Sequence, residues 1–183
     1  MNQRIESLAL IHRASWQALA QAATQREHPF RTMALATVHG DAADLRTVVL
    51  REVLADAQQL VFFTDARSPK VAQMRAHPIA TLMVWSPALS WQLRLRASLA
   101  VQTDGLAVSS RWARLKLSPA AQDYLSPLPP GAPLQRHGPE RATREHFAVV
   151  TAQVLALDWL ELHADGHRRA QFDAKGQGLW VTP

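Results

Sequence analysis

The sequence predicts a mainly β protein of the α+β class, its antiparallel strands closed or nearly closed into a barrel with helices at the periphery. Two observations predict it. Runs rich in β-branched and aromatic residues follow one another across short polar turns, in the order helix, strands, short helix, strands, two helices, strands. Residues 91–101, WQLRLRASLAV, alternate cleanly: Trp91, Leu93, Leu95, Ala97 and Leu99 face one way, and Gln92, Arg94, Arg96 and Ser98 the other. The 183 residues suit one domain, 1–183, with no internal repeat.

Residues 3–24 read as an amphipathic helix within an N-terminal segment 1–27, with Ile5, Leu8, Leu10, Ile11, Trp16 and Leu19 on its apolar side. Pro29 ends it, because proline discourages helix in the residue before it. Strands are expected at 32–39 and 45–54, joined by the polar turn HGDAAD, and at 59–64. Ser68 is a good N-cap, and Pro69 falls at the first helical position, where its missing N–H costs nothing. A short helix then runs to His77-Pro78. ATLMVW at 80–85 is a strand, and SPALS is a turn into 91–101. A helical insertion spans 104–125: GLAVSSRWARL makes one helix, and Ser118-Pro119 repeats the cap-plus-proline signature and opens PAAQDYL. Residues 126–146 form a loop carrying Pro127, Pro129, Pro130, Pro133 and Pro139. The rest returns to strands: FAVVTAQVLALDWLEL from 147, an Asp165-Gly166 turn, RRAQF and LWVTP.

Composition removes several classes of function. Hydrophobic residues make up 48% and six are Trp, enough for a sizeable core. No run approaches the roughly 18 apolar residues of a membrane span, so no membrane partner is expected. MNQRIESLAL has no signal-peptide core, and a cytoplasmic location is the expectation. Cysteine is absent, which excludes disulfides, thiolate nucleophiles and Cys-ligated metals; redox work would need a carried cofactor. His137, His146, His163 and His167 show no paired zinc spacing, so no metal is expected. The net charge of +5 is rich in arginine but scattered, and Trp91 lies on the apolar side of its strand. Neither suits a phosphate-tracking stripe, and no nucleic-acid partner is expected.

The stretch from Arg46 to Lys70, RTVVLREVLADAQQLVFFTDARSPK, is the most informative. Two strand-like runs lead into a helix start that carries a cation. Lys70 occupies the first turn, where the helix dipole is already positive. An anion between the free N–H groups and the ammonium resolves the conflict, so the segment reads as a phosphate seat with Thr64 and Ser68 as further donors. Alternation places Arg51 opposite Arg46; both reach one ligand only if a bulge intervenes or one acts through its backbone.

RTVVLREV, LVFFTDARSPK, HPIATLMVWSPALSWQLRL and LWVTP resemble the pyridoxamine 5′-phosphate oxidase-like FMN-binding split-barrel family, well over 30–102 and more loosely over 147–183. The resemblance implies a six-stranded antiparallel split barrel, a homodimer and FMN in clefts between subunits. It implies that Arg46 and Lys70 hold the FMN phosphate beside Thr64 and Ser68. The backbone of Val48 and Val49 would line the flavin, with Phe63 and Arg51 among the cofactor positions, and Gln92 would hydrogen-bond the ring edge. Tyr124 and Arg168 are the substrate positions it retains.

Three departures are visible. The oxidases have Ser-Arg-Lys where this chain has Ser68-Pro69-Lys70, so that either phosphate affinity is lower or Arg67 substitutes. Their substrate-phosphate arginine and serine become Leu128 and Ala132 here. Their Arg-Leu-His-Asp-Arg becomes Arg168-Arg169-Ala170-Gln171-Phe172, and the stacking tryptophan is lost. A related branch is therefore expected, not the vitamin B6 oxidase itself.

The leading functional expectation is an FMN-dependent oxidoreductase of an unidentified small-molecule substrate. The alternatives are a non-enzymatic binder of flavin, haem or deazaflavin, and a basic nucleic-acid-binding small barrel. Leu106, Trp112, Leu115, Leu117 and Leu125 give the middle helices more apolar surface than one barrel flank needs. A homodimer whose interface completes the site is the expectation.

Overall fold

Residues 4–133 and 146–183 are described by the structure, a computed structural model. Residues 134–145 of the expected proline-rich loop, with His137 and Pro139, lie outside the described residues, as does Gln3 at the expected helix start.

The first helix, α1, spans Leu8–Thr24 and begins later than the apolar pattern suggests. Ser7 is its N-cap, the hydroxyl accepting from the Leu10 amide at 3.5 Å. Ile11, Trp16, Ala18, Leu19 and Ala22 are buried. At the far end Arg31 donates to the carbonyls of Ala22 and Ala23 at 3.1 and 2.8 Å, satisfying acceptors the helix leaves open. Pro29–Arg31 form one 3₁₀ turn into the first strand.

The strands are β1 (Thr32–His39), β2 (Ala42–Leu54), β3 (Gln59–Asp65), β4 (Ile79–Ser86), β5 (Trp91–Gln102), β6 (Phe147–Glu161), β7 (Arg168–Asp173) and β8 (Gly178–Val181). Helix α2 (Pro69–Ala76) joins β3 to β4, and α3 (Leu106–Leu115) follows β5. The second middle helix is a 3₁₀ segment, Pro119–Tyr124. Six residues are too few for a stable α-helix, and its core contacts, through Ala121 and Tyr124, hold it.

All strand pairs are antiparallel, in the order β3-β2-β1-β4-β5-β6-β7-β8, and β3 also pairs with β6. β1 to β6 therefore form a closed six-stranded barrel, with β7 and β8 as an extension on β6. The closure depends on the length of β6. Its first half pairs with β3 through residues 147–153, and its second half with β7 through 156–161, while β5 runs along both. A register shift opposite Arg96 and Ala97 leaves Leu155 extra and bends the strand where its partner changes.

Barrel interior and α1 form one core, with Phe30, Leu35, Leu50, Phe62, Leu82, Leu93, Leu95 and Trp159 all at 0% exposure. A second cluster lies outside the barrel, where α3 and the 3₁₀ segment pack Val108, Trp112, Leu115 and Tyr124 on Val61, Phe147 and Val149.

Candidate functional site

The side-chain alternation of β2 puts Arg46 on the side of buried Val48 and Leu50, at the barrel mouth covered by α2. Four partners hold the guanidinium. Its Nη1 donates to the Thr37 hydroxyl and to the Leu35 carbonyl, and its Nη2 donates to Gln73 Oε1 at 2.8 Å and pairs with Asp44. Thr37 and Gln73 are buried, and the Thr37 hydroxyl donates to Gln73 Oε1 at 2.6 Å. Lys70 lies three residues before Gln73 on α2, hence on the same helix face. Burial, and then the Arg46 guanidinium, push the Lys70 ammonium below the usual lysine range. Two cations thus share a part-buried mouth, which is the electrostatic requirement of an anion site.

Ser68 occupies the N-cap position of α2, but its hydroxyl makes no cap bond to the backbone. It accepts from the Lys70 ammonium at 2.7 Å instead. Thr64, buried at the end of β3, has only a 3.5 Å contact to the next carbonyl, leaving its hydroxyl available. Arg46, Lys70 and Ser68 therefore lie at one mouth of the barrel, and their chemistry fits a phosphate monoester. Arg67 does not join them. It is bound to Asp65 at 2.6 Å and to the carbonyls of Ser126, Pro127 and Leu128, fixing the start of the proline-rich loop.

A bulge does interrupt β2: the β2–β3 register shifts between Leu50 and Glu52. It does not bring Arg51 to the seat. Arg51 lies over the Phe63 ring, 5.9 Å from its centroid, and donates to the Tyr124 hydroxyl at 3.3 Å. Its buried Nε has no partner among the described residues. Arg51, Glu52, Phe63, Arg111, Arg114 and Ser118 line a cleft of about 320 Å³ between β2 and α3. Arg111 is neutralised by Glu52 at 2.7 Å, so Arg51 and Arg114 leave the cleft positive. Burial pushes the Tyr124 phenol up.

Gln92 and Arg168 stand apart within one chain. Gln92 faces the outer side of β5, with Arg94 and Arg96, opposite the buried Leu93 and Leu95. Arg168 is enclosed by Trp159 and Trp180 and donates to Glu161 at 2.9 Å. Asp44, Gln73 and Thr37 are site residues the sequence reading passed over. Their signal was spacing: Gln73 is three residues after Lys70 on a helix, and Asp44 two before Arg46 on a strand.

Residues 13–103, from α1 through β5, match the family described as pyridoxamine 5′-phosphate oxidase, FMN-binding domain. The chain belongs to the pyridoxamine 5′-phosphate oxidase-like split-barrel family. Within that family, it is 26% identical to a pyridoxine/pyridoxamine 5′-phosphate oxidase of Caulobacter vibrioides, over 92% of this chain and 80% of that one. A Hyphomonas neptunium protein of the same description is 28% identical, over 90% and 81%. Among solved structures, a pyridoxamine 5′-phosphate oxidase-related, FMN binding protein from Nostoc punctiforme superposes with a TM-score of 0.75 at 24% identity, covering 93% of this chain and 96% of that one. PhzG from Burkholderia lata 383 gives 0.72 at 17%, covering 100% and 95%. These structural likenesses establish the split-barrel fold. The matched segment holds Arg46, Lys70 and Gln92, whereas α3, Tyr124 and Arg168 lie beyond it.

Proposed function

We propose that this protein binds FMN and acts as an oxidoreductase on a small-molecule substrate, as a homodimer. The observation that carries the reading is the convergence of Arg46 and Lys70 at one mouth of the barrel, in a family defined by an FMN-binding domain. Arg46, Lys70, Ser68 and Thr64 would hold the phosphate, with the Val48 and Val49 backbone along the flavin. Bound there, FMN would supply hydride and electron transfer, and the chain would supply position and charge. Arg51, beside Phe63, is the cation that would face the reacting end of the cofactor and stabilise negative charge on it. The positive cleft between β2 and α3 offers the acidic part of a substrate two arginines, one of them bonded to the Tyr124 hydroxyl.

The substrate is proposed not to be a vitamin B6 phosphate, because Leu128 and Ala132 supply no charged or hydroxyl ligand. Pyridoxamine and pyridoxine phosphates should be oxidised weakly or not at all; rapid peroxide formation at micromolar substrate would refute this. The cofactor reading is tested by the visible spectrum of the purified protein and by titration with FMN and riboflavin. A flavin spectrum and a clear preference for FMN are expected. Equal affinity for riboflavin, or a haem spectrum, would overturn the reading.

A further inference from the structure

Asp44 is a residue at the proposed phosphate seat whose chemistry runs against a phosphate, and unlike Asp65, which is bound to Arg67, it is paired with Arg46. Its Oδ2 pairs with Arg46 Nη2 and accepts from Gln73 Nε2 at 2.9 Å. Gln73 cannot turn elsewhere. Its Oε1 already accepts from Thr37 and Arg46, so its amide N–H is aimed at the carboxylate. Gln73 and Thr37 are 7% and 2% exposed, whereas the Asp44 side chain is 44% exposed, near the β1–β2 turn. The donors are fixed and the acceptor can swing into water.

We propose that Asp44 is an internal rival of the cofactor: its carboxylate holds the anion position defined by Arg46 and Gln73, and an incoming FMN phosphate must displace it. The inference rests on the reading of this mouth as an FMN phosphate seat. A phosphate brings nearly twice the charge and one more acceptor oxygen, so it wins the exchange, at an affinity lowered by the competition. A neutral flavin without a phosphate makes no claim on the position. The arrangement tunes how tightly the cofactor is held without touching the groups that hold it.

The experiment is a fluorescence titration of wild type, Asp44→Asn and Asp44→Ala with FMN, with riboflavin, and with inorganic phosphate as competitor. Both variants are expected to bind FMN about two- to fivefold more tightly, the range of a part-exposed ion pair. Riboflavin affinity should stay unchanged, and the inhibition constant of inorganic phosphate should fall along with the FMN dissociation constant. If wild type prefers FMN and either variant binds it equally or more weakly, Asp44 merely orients Arg46 and the proposal is wrong, while the cofactor reading stands. If wild type and variants alike show no preference for FMN over riboflavin, the phosphate seat itself is refuted and this proposal falls with it.

Discussion

At the residue scale, Lys70 is held where its charge is unwelcome without an anion. Its pKa in the folded protein lies below 10.5, because burial and Arg46 disfavour the ammonium. Between that lowered value and 10.5 the unfolded chain carries more of the proton, so folding stability should rise with pH across that window. Phosphate binding has the opposite slope. A dianion favours the ammonium, so FMN affinity should be full below the lowered pKa and fall as pH rises through it. Lys70→Ala should remove this pH dependence and weaken FMN binding by about 1.5–3 kcal/mol, as loss of a charge-assisted hydrogen bond does. FMN titrations from pH 7 to 10 check both; an unchanged pH profile in the variant would place the phosphate elsewhere. The anomaly at Lys70 was legible in the sequence, because a cation in the first turn of a proline-capped helix is a local contradiction, whereas Arg46 beside it followed only from the family resemblance. The commitments of Arg67 and Asp44 were not legible, because a side chain's partner depends on strands and loops that sequence spacing does not bring together.

At the element scale, strands were the most legible feature. β1 begins and ends where alternation and turns place it, and β5 shows the expected buried and outward positions. Helix starts were less so. The apolar pattern continues through Ile5, but Ser7 fixes the start of α1, and Arg4 reaches across to Glu161 at 2.6 Å. α1 is also tied to the β7–β8 turn. Trp16 Nε1 donates to His12 Nε2 at 3.1 Å, and the His12 ring lies 5.2 Å from that of Phe172. Gly176, with φ of +75°, passes so close that a Cβ would fall 2.9 Å from the His12 ring. Burial lowers the His12 pKa below 6.5, against the pull of Asp173. The stabilising neutral form is thus fully present above pH 6.5 and lost as pH falls through the lowered value. Thermal melts should show stability dropping as pH falls below 6.5. His12→Gln should cost about 1 kcal/mol at pH 7 and flatten that drop, leaving the part due to His28, which burial also lowers. A drop of the same size in the variant would show that His12 does not titrate there.

At the scale of the whole molecule, the barrel is one closed sheet, and the residues proposed to bind the cofactor point in different directions. Arg46 turns to the inner mouth and Gln92 to the outer face, so one chain does not present both to one ligand. A second copy can, and the exposed Leu106 and Leu117 are apolar surface for it to cover. Light scattering with flavin stoichiometry should give a dimer with two FMN; a monomer binding FMN tightly at nanomolar concentration would contradict this. Among the described residues no helix is long and apolar enough to cross a membrane. The β3–β6 seam has a further consequence, in the time domain. It joins partners such as Gln59 and Gln153, whose side chains are bonded at 2.9 Å across 94 positions. The β1–β2, β2–β3 and β4–β5 pairs are local hairpins that can form early, whereas the seam must wait for a long loop to close. Folding should therefore end with the seam, and a substitution such as Phe62→Leu should speed unfolding far more than it slows refolding. Stopped-flow kinetics showing the reverse would make the seam the nucleus. Until it closes, the edges of β3 and β6 are open to any passing strand, so the interval before closure is when this chain is most exposed to aggregation.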